Sequence, residues 1–504
     1  MSKQKSIFTE TDVVQSMNDR TDVVEALLNG TYAITASNEK SGSNRSLTSL
    51  AEYIPKEVKE TKRDYANRLA RTYVTPYFAN AIDSATGQIF KTPPQINENK
   101  PLDDYLKNII TYDVDMEGTD ITEFSIEAMK KSMAYGMSLT VAYFYNPTGS
   151  KNLGAQKKSG ARPYVKNISP RDLLGYTVGD NGKVTMIRYL EDALVDDEIY
   201  GSSTVKRVRR VTPTEYQIYE TDADGKDQIV EKGEIYRVDP YTNTRVTDRV
   251  PMEILYGRKI STLNARSVFE DLAWINVHHT QVNSDLTWSS HFSLIPFLAA
   301  YLAPEVDPSE FDFGFLSSQL IAKLPKDSKM EWVETSGKPQ EVGFNHLEKI
   351  EDKIQISTMS SSVGVTGSKE TATGRAIDAN STSAKLRSHS EALESWVSRV
   401  IDLLASYMIG IDAPDVEVTA NKEFDILINA EEIKLIQEDL ANKVIDKSTY
   451  LAEMKRRGIY RETVNLEDIN EGKAQDVEDD KTSEPEGNFE TDIVVEEDSA
   501  TQEE

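Results

Sequence analysis

The chain is expected to fold as an α+β protein in which long helices are set against an antiparallel sheet. Two features of its 504 residues predict this. Residues 264–288 and 371–410 are long stretches with helical hydrophobic spacing, placed on either side of a short β-rich insert and a Gly/Ser/Val loop. Residues 139–239 instead break into short β-branched and aromatic runs divided by Gly and Asp turns. The first long stretch is apolar at Val268, Leu272, Ile275, Val282 and Leu286, which keeps one face greasy throughout. At 1.5 Å per residue it would reach about 37 Å, long for one helix of a compact globule. A long helix with a narrow apolar stripe suits a strut packed against copies of itself, so a subunit of a ring or bundle is expected.

Composition narrows the function classes. An apolar fraction of 38 % with 28 % charge supports folded structure, and 504 residues allow two to four domains. The chain has no cysteine, which removes disulfides, thiolate chemistry and Cys-ligated zinc. The N-terminus lacks the apolar core of a signal peptide, and the greasiest run, Leu294–Ala303, is too short to span a bilayer and contains Pro296. A soluble protein that stays where it is made is expected, with no membrane partner. The net charge is −27, and residues 461–504 hold 17 Asp and Glu against 3 Lys and Arg, a net of −14 that leaves −13 for residues 1–460. The acidic end therefore reads as a solvated, disordered arm. Tight static binding to nucleic acid needs the opposite sign, so a duplex meeting this surface would be guided, not gripped.

The elements follow in order. Residues 1–50 are polar, with a short helix expected near Asp12–Asn29 and order beginning around Ala51. Arg63–Phe90 carries helical apolar marks, with Pro76 expected to kink or break it. Leu102–Ile110 and Ile121–Gly136 are further helices. Strands are expected at Leu139–Tyr145, Tyr164–Ile168, Leu174–Val178, Lys183–Glu191, Tyr200–Thr212, Glu215–Thr221 and Glu234–Asp239, with hairpin turns at Asp180–Gly182 and Asp222–Gly225. The insert from His291 to Val342 has strand-like runs at Phe297–Leu302, Gln319–Leu324 and Met330–Glu334. A helix over Gly343–Met359 places Phe344, Leu347, Ile350 and Ile354 on one face. The second long helix is small and polar at first, then apolar from Leu393 to Met408, and stops at Gly410. Val416–Ile428 reads as a returning strand, and Ala430–Leu440 with Lys447–Arg457 as a terminal helix pair.

Motifs for catalysis are missing. Val363-Gly364-Val365-Thr366-Gly367-Ser368-Lys369 resembles a phosphate-binding loop, yet Ser368 intrudes before Lys369 and Glu370 stands where a metal-binding hydroxyl is needed. Asp113–Asp120 resembles the start of a calcium loop, but its twelfth position is Phe124, so a turn that caps the next helix is the better reading. The adjacent His278 and His279 point about 100° apart on a helix and do not share a metal easily. No catalytic residue, metal site or cofactor is expected, and the chain is not expected to be an enzyme. The paired tyrosines, such as Tyr143/Tyr145 and Tyr216/Tyr219, have neutral or acidic neighbours and suit packing better than base stacking.

Several segments, in order, resemble the portal proteins of tailed bacteriophages. Tyr65–Arg71 through Gly87-Gln-Ile-Phe90-Lys-Thr-Pro93-Pro94 is similar to that family's opening helix and its G-x-x-F-x-x-P-P ending. Asp115–Phe124 followed by Ala134-Tyr135-Gly136 resembles the next block, and Ile168-Ser-Pro170-Arg-Asp172-Leu resembles the strand entry. Ser362–Gly374 and Arg375–Leu404 look like the loop and long kinked helix that line the channel. Asn442–Tyr450 resembles a late segment in which Asn442 replaces a glycine.

The resemblance implies a wing, stem, clip and crown assembled as a ring. It makes residues 1–50 a flexible N-terminal segment, 51–260 wing, 261–290 and 343–359 stem helices, and 291–342 clip. It makes 360–370 a tunnel loop, 371–411 the long kinked wing helix, 412–428 a wing strand, 429–470 crown helices and 471–504 a disordered acidic tail. It further implies a homo-oligomer, a dodecamer in the family, at one capsid vertex of the virion, assembled in the host cytoplasm. Double-stranded DNA would be packaged and ejected through its axis. Partners would be the terminase large subunit, major capsid and scaffolding proteins, and head-completion or tail adaptor proteins. Val363, Val365, Thr366, Ser368, Lys369, Glu370 and Arg375 would face DNA, and Asp307, Glu310, Asp312 and Phe313 would meet terminase or adaptor. Val268, Leu272, Ile275, Val282, Leu286, Leu347, Ile350 and Ile354 would pack between subunits. A wall of acidic copies would repel phosphate and let DNA slide.

Overall fold

The computed structural model describes residues 6–35, 48–147, 149, 159–197, 201–222, 225–294, 297–301, 329–333, 337–358, 372–408, 410–422, 424, 430–442 and 444–456. It is a mixture of helices and antiparallel sheets, and the chain divides into two compact units, Met1–Phe424 and Asp425–Glu504.

The first unit begins with a correction to the expected flexible N-terminus. Helix α1 (Asp12–Leu28) and the short α2 (Tyr32–Thr35) belong to the core, with Val14, Met17, Val23, Val24 and Leu27 buried. The segment reads as polar because several of its polar residues have partners inside the fold. Arg171 is almost fully buried and pairs with Asp22 at 2.7 Å, while the Tyr135 hydroxyl donates to Glu25. Pro76 breaks the next helical stretch as its ring geometry requires, giving α3 (Lys62–Arg71) and α4 (Tyr77–Ile89). After β1 (Gln95–Glu98), the helices α5 (Asp104–Tyr112) and α6 (Ile121–Tyr135) start at carboxylate caps. Asp103 accepts from the Tyr105 amide at 3.0 Å and Asp120 from the Glu123 amide at 2.7 Å. The Asp113–Asp120 run is thus a capping turn, in which Asp115 also accepts from Glu117 N at 2.8 Å.

Gly136 ends α6 at φ +85° and passes directly into the central strand β2 (Met137–Tyr145). A Cβ there would stand 2.0 Å from the Arg266 carbonyl oxygen, so both the backbone angle and the close approach demand glycine. β2 is buried from Met137 to Tyr143, including its polar Ser138 and Thr140. It lies between β3 (Arg162–Ile168) and a strand not foreseen in the sequence, β9 (Met252–Tyr256). A second sheet is a five-stranded meander of β4 (Leu173–Val178), β5 (Val184–Asp197), β6 (Gly201–Val211), β7 (Glu215–Thr221) and β8 (Asp227–Glu234). The expected strand at Glu234–Asp239 is corrected: the Asp222–Gly225 turn returns the chain one hairpin earlier, so β8 ends at Glu234. Beyond Leu190 and Val208, β5 and β6 pair only with each other among the described residues, forming a two-stranded arm up to Asp197 and Gly201.

A short hairpin of β10 (Lys259–Ser261) and β11 (Asn264–Ala265) leads to α7 (Glu270–Ser293). The first long helix therefore starts later than expected and runs further, with the Ser267 hydroxyl accepting from the Phe269 amide just before it. The ribbon β12 (Phe297–Tyr301) and β13 (Lys329–Val333) follows, then α8 (Lys338–Ser357), which starts before the expected boundary with Pro339 in its first turn. The expected strand at Gln319–Leu324 lies outside the described residues. Helix α9 (Ala372–Ala405) is about 51 Å long and ends the unit's core with Leu386, Leu393, Trp396, Val397, Val400, Ile401 and Leu404 buried. β14 is only Val416–Thr419, shorter than expected because its partner β1 has just four residues to pair. The second unit holds α10 (Ala430–Ala441) and α11 (Lys447–Arg456), packed together over Leu451 and Met454. The acidic residues 471–504 lie outside the described residues.

Candidate assembly surface

Helices α7 and α8 form an antiparallel hairpin closed at its far end by the β12–β13 ribbon. The contacts step in opposite directions: Gln340 donates to Ser289 Oγ at 3.1 Å, Gly343 faces Leu286, and Glu351 meets His279 at 3.2 Å. Gly343 allows the close crossing, because a Cβ there would stand 2.7 Å from Leu286 Cδ1. The His279 imidazole is buried, and the Tyr77 hydroxyl donates to the same Glu351 oxygen at 3.0 Å. Burial and the Glu351 carboxylate push the Tyr77 hydroxyl up to about 12, so it remains a donor at neutral pH.

The apolar stripe of this hairpin corrects the sequence reading. Leu272, Leu286, Ile350 and Ile354 are buried, and Val268, Ile275 and Val282 pack on the same core. Leu347 is half-buried. All eight residues expected to join subunits thus lie on surfaces the chain covers wholly or partly by itself, and Phe344 turns outward, away from Ile350 and Ile354.

The side of α7 next to this stripe is buried too, but with polar groups. Asn276 accepts from Phe78 N at 3.0 Å and donates to the Thr75 carbonyl at 3.1 Å, while Asn283 donates to the Tyr73 carbonyl at 3.2 Å. These side chains satisfy the backbone freed where Pro76 splits α3 from α4. Ser284 shares a 2.8 Å hydrogen bond with Thr72, and Arg68 reaches from α3 to Ser284 and Asp285 while gripping Glu60 at 2.9 Å. The Arg68 hydrogen bond holds the Glu60 carboxyl below the usual carboxylate range. Asn276, Thr280 and Asn283 stand at i, i+4 and i+7, a helical signal that could have marked this polar buried face.

Large apolar side chains remain uncovered on the hairpin. On α8, Val342 is 68 %, Phe344 57 % and Ile356 79 % exposed; on α7, Trp274 is 51 % exposed. Val342 and Ile356 are about four turns apart on one side of α8, and Phe344, two residues from Val342, falls about 200° around the axis. The helix thus carries apolar groups on two separate flanks. Among the described residues α8 packs mainly on α7 and reaches Tyr77 through Glu351, and Val342, Phe344 and Ile356 on its two flanks are exposed.

The other expected site residues are not brought to this surface. Val363, Val365, Thr366, Ser368, Lys369 and Glu370, and Asp307, Glu310, Asp312 and Phe313, lie outside the described residues. Arg375 falls on the first turns of α9. Among the described residues no group of three or more His, Cys, Asp or Glu could hold a metal ion, and no helix is long and apolar enough to cross a membrane.

A family model described as "Domain of unknown function (DUF4055)" matches residues 268–408, the stretch from the start of α7 to just past α9. No curated protein matches the chain. It is similar to a chain of a solved structure titled "Neck of native GTA particle computed with C12 symmetry", at 11 % identity over 75 % of this chain and 89 % of that one, with a TM-score of 0.34. It is also similar to a chain of "Virion of native gene transfer agent (GTA) particle", at 10 % identity over 83 % of this chain and 95 % of that one, with a TM-score of 0.35. Scores at this level are too low to read a shared fold from.

Proposed function

We propose that this chain is the portal subunit of a tailed phage or phage-like particle: a non-enzymatic ring through which double-stranded DNA enters and leaves the head. The observation that carries this is the α7–ribbon–α8 hairpin, with exposed apolar groups on two flanks. A closed ring is built from heterologous contacts, in which each subunit offers two different surfaces to its two neighbours. The Val342/Ile356 flank and the Phe344 flank supply two such surfaces on one element, and a second copy of the chain is their occupant. The order of segments resembling portal proteins, from Gly87–Pro94 to Asn442–Tyr450, supports the same reading. In it the ring, of twelve copies as in that family, sits at one capsid vertex among the major capsid and scaffolding proteins. It takes DNA from the terminase large subunit and afterwards holds the head-completion or tail adaptors. The net charge of −27 per copy suits a passage to which phosphate does not adhere.

The test is genetic and physical. Particles produced without this chain should be shells containing no DNA, and supplying the chain in trans should restore filled heads. DNA-filled heads assembled in its absence would remove the portal assignment.

A further inference from the structure

The segment that follows β8 folds back against the end of α9 and encloses a cavity. Val238 N donates to the Ser406 carbonyl at 2.8 Å, and the Tyr241 hydroxyl lies 2.9 Å from both Asp402 Oδ1 and the Pro414 carbonyl. Between this segment, β9 and α9 lies a space of about 100 Å³ lined in part by Arg237, Arg249, Glu253, Arg399 and Asp402.

Its charges are unevenly matched. Arg399 pairs with Glu253 at 2.9 Å, Asp402 accepts from Tyr241, and Asp239 accepts from the Tyr241 and Thr242 amides at 2.9 and 3.2 Å. Arg237 and Arg249 have no carboxylate partner among the described residues. Arg249 is exposed at the mouth, whereas Arg237 is only 2 % exposed. Among the described residues the Arg237 guanidinium makes a single hydrogen bond, from Nη2 to the Arg249 carbonyl, and its buried Nε has no partner. A buried cation left this way is costly unless an anion completes it. Burial pulls the Arg237 pKa below the ordinary arginine value, consistent with a charge that lacks its counter-ion.

We propose that this cavity is a binding site for a small oxyanion of phosphate or carboxylate size, held by Arg237 from within and Arg249 from the mouth. Guanidinium groups match such oxyanions through paired, charge-assisted hydrogen bonds. The space is large enough for one such ion and too small for a nucleotide. The site does not depend on the ring reading, since it lies within one chain and can be titrated in any state of association.

The experiment is calorimetric titration of the purified full chain with inorganic phosphate and, separately, acetate, at constant ionic strength. Saturable binding of either probe at up to about 10 mM is expected, weakened at least tenfold in Arg249→Ala, the loss of one charge-assisted contact. Arg245→Ala, an exposed arginine that does not line the cavity, should bind as the unaltered chain does. Arg237→Met should abolish binding; if that variant fails to fold, Arg249→Ala decides alone. Absence of binding by both probes, or equal binding by Arg249→Ala and the unaltered chain, would show a water-filled cleft and overturn the proposal.

Discussion

Trp396→Ala should lower the stability of the Met1–Phe424 unit by about 3–5 kcal/mol, the usual cost of truncating a fully buried large aromatic. Trp396 is the largest side chain with no exposure, and it stacks on Phe124 at 6.2 Å with the rings nearly parallel. It sits on α9 where that helix crosses the region of α6, so the cavity would open at the centre of the core. Its indole Nε1 has no hydrogen-bond partner among the described residues. Trp396→Phe should cost far less than Trp396→Ala, because it keeps an aromatic ring in the same space and so opens a smaller cavity, while both variants remove the unpaired donor. Chemical denaturation of the three proteins checks both statements: the order of midpoints should be unaltered, Phe, Ala. Equal midpoints for Phe and Ala would show that filling this space with a ring does not set the loss.

The second large effect concerns assembly. Val342→Lys with Ile356→Lys should prevent self-association while leaving the chain folded. Both residues are exposed and lie on one flank of α8, so the monomer loses no packing. In a ring the same flank is covered, and removing two apolar contacts of about 1.5 kcal/mol each would weaken every interface by about two orders of magnitude. The cost of covering two lysines adds to that. Sedimentation velocity of the double variant should show a single slow species with an unchanged circular dichroism spectrum. A fast-sedimenting assembly like that of the unaltered chain would exclude this flank from the contact.

The sequence made some of this structure visible and concealed the rest for definable reasons. Helices α5 and α6 were readable because Asp103, Asp120 and Gly136 mark their ends with groups that act locally. The Pro76 break and the meander turns at Gly182 and Gly225 were readable for the same reason. Helix α1 is legible as a short helix but its place in the core is not, because Asp22 and Glu25 look solvated until Arg171 and Tyr135, more than a hundred residues away, are placed against them. β9 is a five-residue run whose strand character comes from pairing with β2, a long-range event that propensity does not register. The stripe on α7 was seen correctly as apolar, but periodicity gives a face and not its occupant. The occupant proved to be the chain's own core, while the residues left for a neighbour, such as Val342 and Ile356, fall outside the stripe. The Arg237 cavity was not readable, since its residues are drawn from two distant stretches, 237–253 and 399–406, and no motif joins them.

The most direct measurement is single-particle imaging of the purified, unaltered chain. Class averages should show annular particles of one size with rotational symmetry and an open axis, their projecting wall formed by repeated α7–α8 hairpins. Isolated protomers of about 56.5 kDa at every concentration tried, with Val342, Phe344 and Ile356 still facing solvent, would contradict the account.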